Sequence, residues 1–525
     1  MRKLLSLLLA AALLLTIPFA FAEEREEVTL TMGKEFDYNG KHFLEGQSLE
    51  NNYYLDYIYD QWKVKFEYAW IETDDYQKDS AAIATGELPD VMIVDQAQFT
   101  TLLENDLIQP ITEAFEEYAT PYMKNARDIY YIESYDAATV KGELYAIPKT
   151  GVKKQHVFTW IRQDWADKLG IEIPELITLD EVIEIAKRFR DEDPDGNGEN
   201  DTIGLPLDKK YIIGQTQTDY IASPIANLMG SYARIWYLKD GELTYGSVTE
   251  ETRNALEYLA ELYADGVFDP QFATRDEKEV VVGGKCGIFF GAWCAGPLQN
   301  SYGFDGADWV PVVGPVDEEG YFYTTFPVPS NEYVVVAKTC EHPEAVVQAV
   351  GAEYDFHRFL TGDPEWEAKC TEYQNEGVNW RIMPIDIQIE NGDIVAQRGI
   401  DVAHMIETGD RTGISLENQS FYNAYLKWVE DPSYLTGWLR WKGMALGCNV
   451  ANYEKNVYTS PVFWGTTATM TEAWSNLQAM EDETFMNIVL GNAGIEAFDE
   501  FVEKWYAEGG QTIIDEVQAY LDARS

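Results

Sequence analysis

Hydrophobic and polar positions along this chain switch between two periods. Apolar runs of strand type fall at residues 28–32, 63–70 and 89–94, and stretches with helical spacing lie beside them: a tyrosine-rich one between the first two strands, then 79–85, then 97–104. Strand, helix, strand in succession predicts an α/β fold built on a parallel sheet. Further along, the pattern predicts a hairpin at 140–147 centred on Lys141-Gly142-Glu143, a strand at 156–161, a helix at 179–190 and a strand at 203–207. A helix near 222–229, a hairpin at 236–245 turning at Asp240-Gly241 and a long helix at 250–264 follow. The run 284–293 reads as a buried strand ending in a small-small-aromatic turn. Another hairpin is expected after Pro311, a strand at 333–337 and a helix from about Pro343; from there to Ser525 helical spacing dominates, ending in helices 494–507 and 513–523.

Open α/β sheets bind ligands beyond the carboxyl ends of their strands. Asp95 and Gln96 stand at such an end, so they are candidate ligand contacts; Asp95 reads equally as the cap of the following helix.

Between the helix at 179–190 and the next strand lies Asp191-Glu192-Asp193-Pro194-Asp195-Gly196-Asn197-Gly198-Glu199-Asn200-Asp201. Counting Asp193 as position 1 puts Asp195 at 3, Asn197 at 5, the Glu199 carbonyl at 7 and Asp201 at 9, with Gly198 at the sharp turn of position 6. Ca2+ takes six to eight oxygens at roughly 2.3–2.6 Å, and alternate side chains of a wound loop supply them. Position 12 is Gly204, so the bidentate Glu of such loops is missing. A structural calcium site of weak to moderate affinity is the expectation, with a plain Asp/Gly/Asn turn as the alternative.

Arg2 and Lys3 precede an apolar run to Phe19 and then Ala20-Phe21-Ala22, the pattern of a signal peptide cleaved after Ala22. Residues 1–22 are thus expected to be removed, making the mature protein soluble and exported. The remaining length suits two lobes. Loss of Arg2 and Lys3, with no acid in the leader, takes the net charge from −51 to −53. Phosphate backbones would repel such a chain, which argues against nucleic acid, and the excess disfavours anionic ligands generally. Five cysteines without CxxC spacing indicate neither zinc nor redox chemistry. The chain is rich in aromatics, with 33 Tyr, 23 Phe and 15 Trp, and aromatic faces pack on the C–H patches of sugar rings. Trp236, Tyr237, Trp293 and Tyr302 are the candidate platforms at crossing-strand ends and hairpins, with core packing the competing expectation for each.

Taken in order, Gly86-Glu87-Leu88-Pro89-Asp90, Gly142 to Pro148, Ile161-Arg162-Gln163-Asp164-Trp165, the run from Asp193 to Leu205, Gly287-Ile288-Phe289 before Trp293, and His342-Pro343-Glu344-Ala345 resemble the extracellular solute-binding proteins of family 1. The resemblance is to the long branch that carries a calcium loop, the lipoprotein and alginate-binding branch. It implies a two-lobed periplasmic-binding fold of type II with a hinge and a helix-rich C-terminal part, here expected as residues 23–150 with about 288–325, and 151–287 with about 326–525. It further implies a monomer that closes on a carbohydrate and delivers it to the membrane permease of an ABC importer. On the same resemblance Asp95 and Gln96 would face the sugar, Trp293 would stack on it, and Asp193, Asp195, Asn197, Glu199 and Asp201 would hold the structural Ca2+. Two features depart from that branch. No cysteine follows the leader to take a lipid anchor, and the acidity argues for a neutral oligosaccharide over alginate. An exported glycoside hydrolase working with two carboxylates, and a binding protein for peptides or for a membrane sensor, stay open beside it. No catalytic motif marks the chain as an enzyme.

Overall fold

A computed structural model describes residues 25–36, 38, 43–73, 77–154, 157–210, 212–214, 219–294, 307–327 and 332–522. The leader and Tyr302 lie outside these residues. The main strands are β1 (Val28–Glu35), β2 (Val64–Glu72), β3 (Val91–Asp95), β4 (Ala146–Pro148), β5 (Phe158–Arg162), β6 (Leu176–Thr178), β7 (Ile288–Gly291), β8 (Trp309–Val316), β9 (Phe322–Thr325), β10 (Glu332–Val336) and β11 (Asn456–Thr459).

The first sheet has the order β2-β1-β3-β10-β4, with β1 parallel to β2 and β3, and β10 antiparallel to both neighbours. Its strands are apolar enough to be covered on both faces: Leu30, Met32, Val91, Met92, Val94 and Val334 to Val336 are buried. Helix Tyr53–Trp62 packs one side through Tyr54, Tyr57 and Ile58, and helix Pro343–His357 meets it with a nearly all-buried surface. Because β1, β3 and β4 run one way and β10 the other, Gly33 to Phe36, Asp95, Pro148 and Glu332 end up on a single edge.

The second sheet has the order β7-β5-β8-β6. Here β7 and β8 pair antiparallel with β5, Gly291 opposite Phe158 and Trp309 opposite Arg162. Its core is continued by the helices Leu179–Asp191, Glu250–Ala264, Ala468–Val489, Glu496–Trp505 and Gln511–Asp522.

Pairing divides the chain differently from the expected boundaries. Segment 288–316 joins the second sheet, because the apolar run Ile288 to Phe290 finds its register on Thr159 to Ile161. Segment 332–357 and Ile382, Ile385, Ile387 and Ile389 join the first core, where Tyr333 stacks on Phe99 at 4.7 Å. Two expected elements also differ. The strand at 203–207 is reduced to single bridges, Ile203 to Cys286 and Leu205 to Phe268, since Gly204 lies flat on the Val267 backbone and Pro206 has no N–H to donate. In place of a hairpin past Pro311, β9 pairs in parallel with the distant β11.

Segments 149–154 and 388–393 run between the cores, and Glu332 at the start of β10 stands beside them. They are bonded to one another. Lys149 N–H donates to Glu332 O at 2.9 Å, Thr150 N–H to Gln388 O at 2.8 Å, and Lys153 N–H to Gly392 O at 2.8 Å. The Thr150 hydroxyl donates to Glu390 O and accepts from Glu390 N–H at 2.7 Å.

Candidate ligand cleft

Gly33 bends the end of β1 under the Trp70 ring, so close that a Cβ would sit 2.5 Å from it. Trp70 Nε1 donates to Asp79 Oδ1 at 3.0 Å. Asp79 opens helix Gln77–Thr85 and is buried, and burial pushes its carboxyl up to about 6. Next along, Lys34 is buried and donates to the carbonyls of Met383 at 2.8 Å and Pro384 at 3.2 Å and to Asp386 at 3.0 Å. These groups, with Glu35, Phe36, Ile93, Glu332 and Arg381, line a cavity of about 310 Å³ at the carboxyl edge of the first sheet. Lys149 pairs with Glu332 at 2.6 Å, beside the segment 149–154.

A second cavity, of about 410 Å³, takes its walls from both cores. Gln96, Thr100 and Ala137 come from the first; Phe463, Trp464, Gly465, Thr466, Thr467, Glu516 and Tyr520 come from the second. The loop holding Trp464 is fixed at both ends. Val462 N–H donates to Trp236 O at 2.7 Å, and the Thr467 hydroxyl caps helix Ala468–Val489. Gln96 is oriented by the Tyr333 hydroxyl, 2.6 Å from its Oε1. Near the hinge, Phe326 and Tyr458 lie face to face at 4.3 Å, with the Lys153 ammonium 6.0 Å from the Phe326 ring.

The expected site residues fall in different places. Asp95 is exposed and makes a capping box with Gln98, so its cap reading is realised; one step on, Gln96 lines the shared cavity. Trp236 and Tyr237 are buried. The Trp236 ring packs on Tyr245 at 4.8 Å and on Phe463, Trp474 and Trp505, so it supports the cavity loop from behind and does not line it. Trp293 is half-buried beside the first crossing segment, with the Arg398 guanidinium 5.6 Å over its ring. Trp464 and Asp79 were not among the expected residues. Gly465 and the Thr467 cap are the local signals that could have marked the first, and nothing in the spacing marks the second.

The acidic loop winds as its spacing predicts. The Asp193 carboxylate accepts from the N–H groups of Gly196 at 3.0 Å and of Asn197 and Gly198 at 3.1 Å, and Gly196 and Gly198 take positive φ of 73° and 81°. Asp195, Asn197 and Asp201 converge, with Asn197 Nδ2 2.9 Å from Asp195 and 3.1 Å from Asp201. Lys285 reaches into the same place, 3.5 Å from Asp195 and paired with Asp201, and its hydrogen bond is the first cause holding Asp201 below the usual carboxylate range. Among the described residues no three His, Cys, Asp or Glu side chains stand close enough together to hold a metal ion. The oxygen donors are of the type a hard cation takes, but as arranged they hold the Lys285 ammonium and do not converge on a metal position.

A model of the bacterial extracellular solute-binding protein family matches residues 46–363. The chain belongs to that family. The polygalacturonan/rhamnogalacturonan-binding protein YtcQ of Bacillus subtilis is 23% identical over 466 residues, covering 84% of this chain and 82% of YtcQ. The fructooligosaccharide ABC transporter substrate-binding protein FusA of Streptococcus pneumoniae is 23% identical over 305 residues, 54% of this chain and 55% of FusA. Among solved structures, FusA in complex with kestose superposes with a TM-score of 0.59 at 16% identity, over 94% of this chain and 99% of FusA. The alginate-binding protein AlgQ2 without calcium ion gives 0.56 at 15% identity, over 95% and 98%. These extracellular solute-binding relatives establish a two-domain α/β fold.

Proposed function

We propose that this solute-binding protein captures a neutral oligosaccharide between its two cores and delivers it to the membrane permease of an ABC importer. The observation that carries the reading is the cavity of about 410 Å³ shared by both cores, where Trp464 supplies a ring face and Gln96, Thr100 and Glu516 supply hydrogen-bonding groups. Asp79 and Glu35 line the other cavity, at the carboxyl edge of the first sheet, and offer further polar groups. The net charge of −51 favours a neutral sugar over a polyuronate. YtcQ is named for polygalacturonan and rhamnogalacturonan and FusA for fructooligosaccharides; the acidity of this chain sides with an uncharged sugar of the latter kind.

In this reading one lobe comprises 25–149 with 332–390, the other 157–327 with 394–522, and the bonded segments 149–154 and 388–393 form the hinge. The leader is cleaved after Ala22 and the loop 193–201 takes a structural Ca2+ through Asp193, Asp195, Asn197, Glu199 and Asp201. Binding requires no catalytic group. The test is titration calorimetry of the mature chain with neutral and uronic oligosaccharides, followed by chromatography of the sugars. Micromolar binding of a neutral sugar recovered intact supports the proposal; turnover of the sugar, or selective binding of uronates or peptides, overturns it.

A further inference from the structure

We propose that the ammonium of Lys285 is the resident cation of the loop 193–201, and that a divalent ion binds only by displacing it. The inference rests on the reading of this loop as a cation site and adds what sets its affinity.

Three observations carry it. First, Lys285 Nζ is paired with Asp201 Oδ2 and lies 3.5 Å from Asp195 Oδ2, so it stands between the two carboxylates that a metal would need. Second, Asn197 turns its NH2 to those same carboxylates and lets its Oδ1 accept from Glu199 N–H at 2.6 Å. A hard cation takes oxygen ligands, so ammonium and amide both face the centre as donors, satisfying the acids without a metal. Third, a Cβ on Gly204 would lie 2.2 Å from the Val267 carbonyl oxygen. No side chain fits there, and the missing bidentate acid at position 12 is enforced by packing. The loop is thus short of one negative ligand and furnished with one positive group.

The lysine is placed for this by the strand that follows it. Ile203 N–H donates to Lys285 O at 2.9 Å, and Cys286 bridges to Ile203, so the backbone on both sides of the loop holds Lys285 against it. Lys168 adds a second tie, donating to Pro194 O at 2.6 Å. The loop and the entry to β7 are therefore tied to their surroundings by protein groups alone.

The test uses the full mature chain and calcium chloride alone, with affinity read by calorimetry and melting read in chelator. Lys285→Met should bind Ca2+ about tenfold or more tightly than the parent, the scale of removing one nearby unit charge, and should melt lower than the parent in chelator. Lys285→Gln, which keeps an uncharged donor on a shorter side chain, should fall between them and serves if the Met variant does not fold. Equal calcium affinity in parent and both variants overturns the role of Lys285 and leaves a calcium loop standing. Absence of calcium binding in all three overturns the loop reading and this inference together.

Discussion

Trp236 and Trp464 divide the work of one wall. The first is buried among Tyr245, Trp474 and Trp505, and its carbonyl anchors the loop that carries the second into the shared cavity. Trp236→Ala should therefore cost stability, about 3–5 kcal/mol by chemical denaturation, the usual scale for emptying a buried indole. Trp464→Ala should leave the melt nearly unchanged and weaken sugar binding by about tenfold, the scale of one lost aromatic contact; unchanged affinity in calorimetry would remove Trp464 from the site. Asp79 makes a third residue-level prediction. Its carboxyl is raised by burial from the ordinary aspartate value of 3.8 to about 6, so the folded state holds that proton more tightly than the unfolded chain does. The stabilisation is complete below about pH 4 and is lost as pH rises through about 6. Asp79→Asn keeps an acceptor for Trp70 Nε1, so it should flatten the stability profile between pH 4 and 6 and be the more stable protein at pH 7. A variant whose profile overlays the parent's would show that Asp79 does not titrate in this range.

Among the elements, the crossings are reinforced by a buried ion network that joins the first core to the helices beyond. Arg358, ending helix Pro343–His357, pairs with Glu390 of the crossing and with Glu417 at 2.8 Å, and Arg398 pairs with Glu417 at 2.6 Å. Burial pushes Glu417 upward, yet Arg358 and Arg398 outweigh it and hold the carboxyl at about 2. Its contribution to stability is present above the ordinary glutamate value of 4.5 and lost as pH falls toward 2. Glu417→Ala would leave both guanidiniums buried with one partner fewer, at a cost of about 3–5 kcal/mol at pH 7; a loss below 1 kcal/mol would mean that water replaces the carboxylate. None of this network was legible in the sequence, because Glu390, Arg398 and Glu417 meet only after the chain has crossed. What was legible is local. The Asp240-Gly241 turn takes positive φ at both residues, 52° and 87°, and closes the hairpin between Lys239 and Glu242. The strand periods of β1, β2 and β3 and the Asp95 cap are likewise written in their own residues. The pairing of β9 with β11 is not, since two short, half-buried strands carry no record of their partner.

At the scale of the whole molecule, the proposed closure requires the bonded segments 149–154 and 388–393 to bend without breaking while the walls at Gln96 and Trp464 approach. The bonds among Lys149, Thr150, Lys153, Glu332, Gln388, Glu390 and Gly392 lie within the bundle of crossings, so closure can rotate the cores about it and leave these bonds intact. Contacts across the cavity, by contrast, are expected to form when ligand fills it, since a ligand shifts such an equilibrium by its differential affinity for the two forms. Two measurements on the same sample separate these parts. With saturating neutral oligosaccharide, the radius of gyration from solution scattering should fall. Hydrogen exchange should meanwhile slow in residues 462–468 and at the start of helix Gln96–Glu104, and stay unchanged and slow at Thr150, Lys153 and Glu390. Faster exchange at the crossings on binding would mean that closure breaks the bundle, and a hinge elsewhere would have to be sought. A scattering curve unaltered by a ligand that calorimetry shows to be bound would mean that the cores meet the sugar without moving, and the cavity between them would be a fixed pocket.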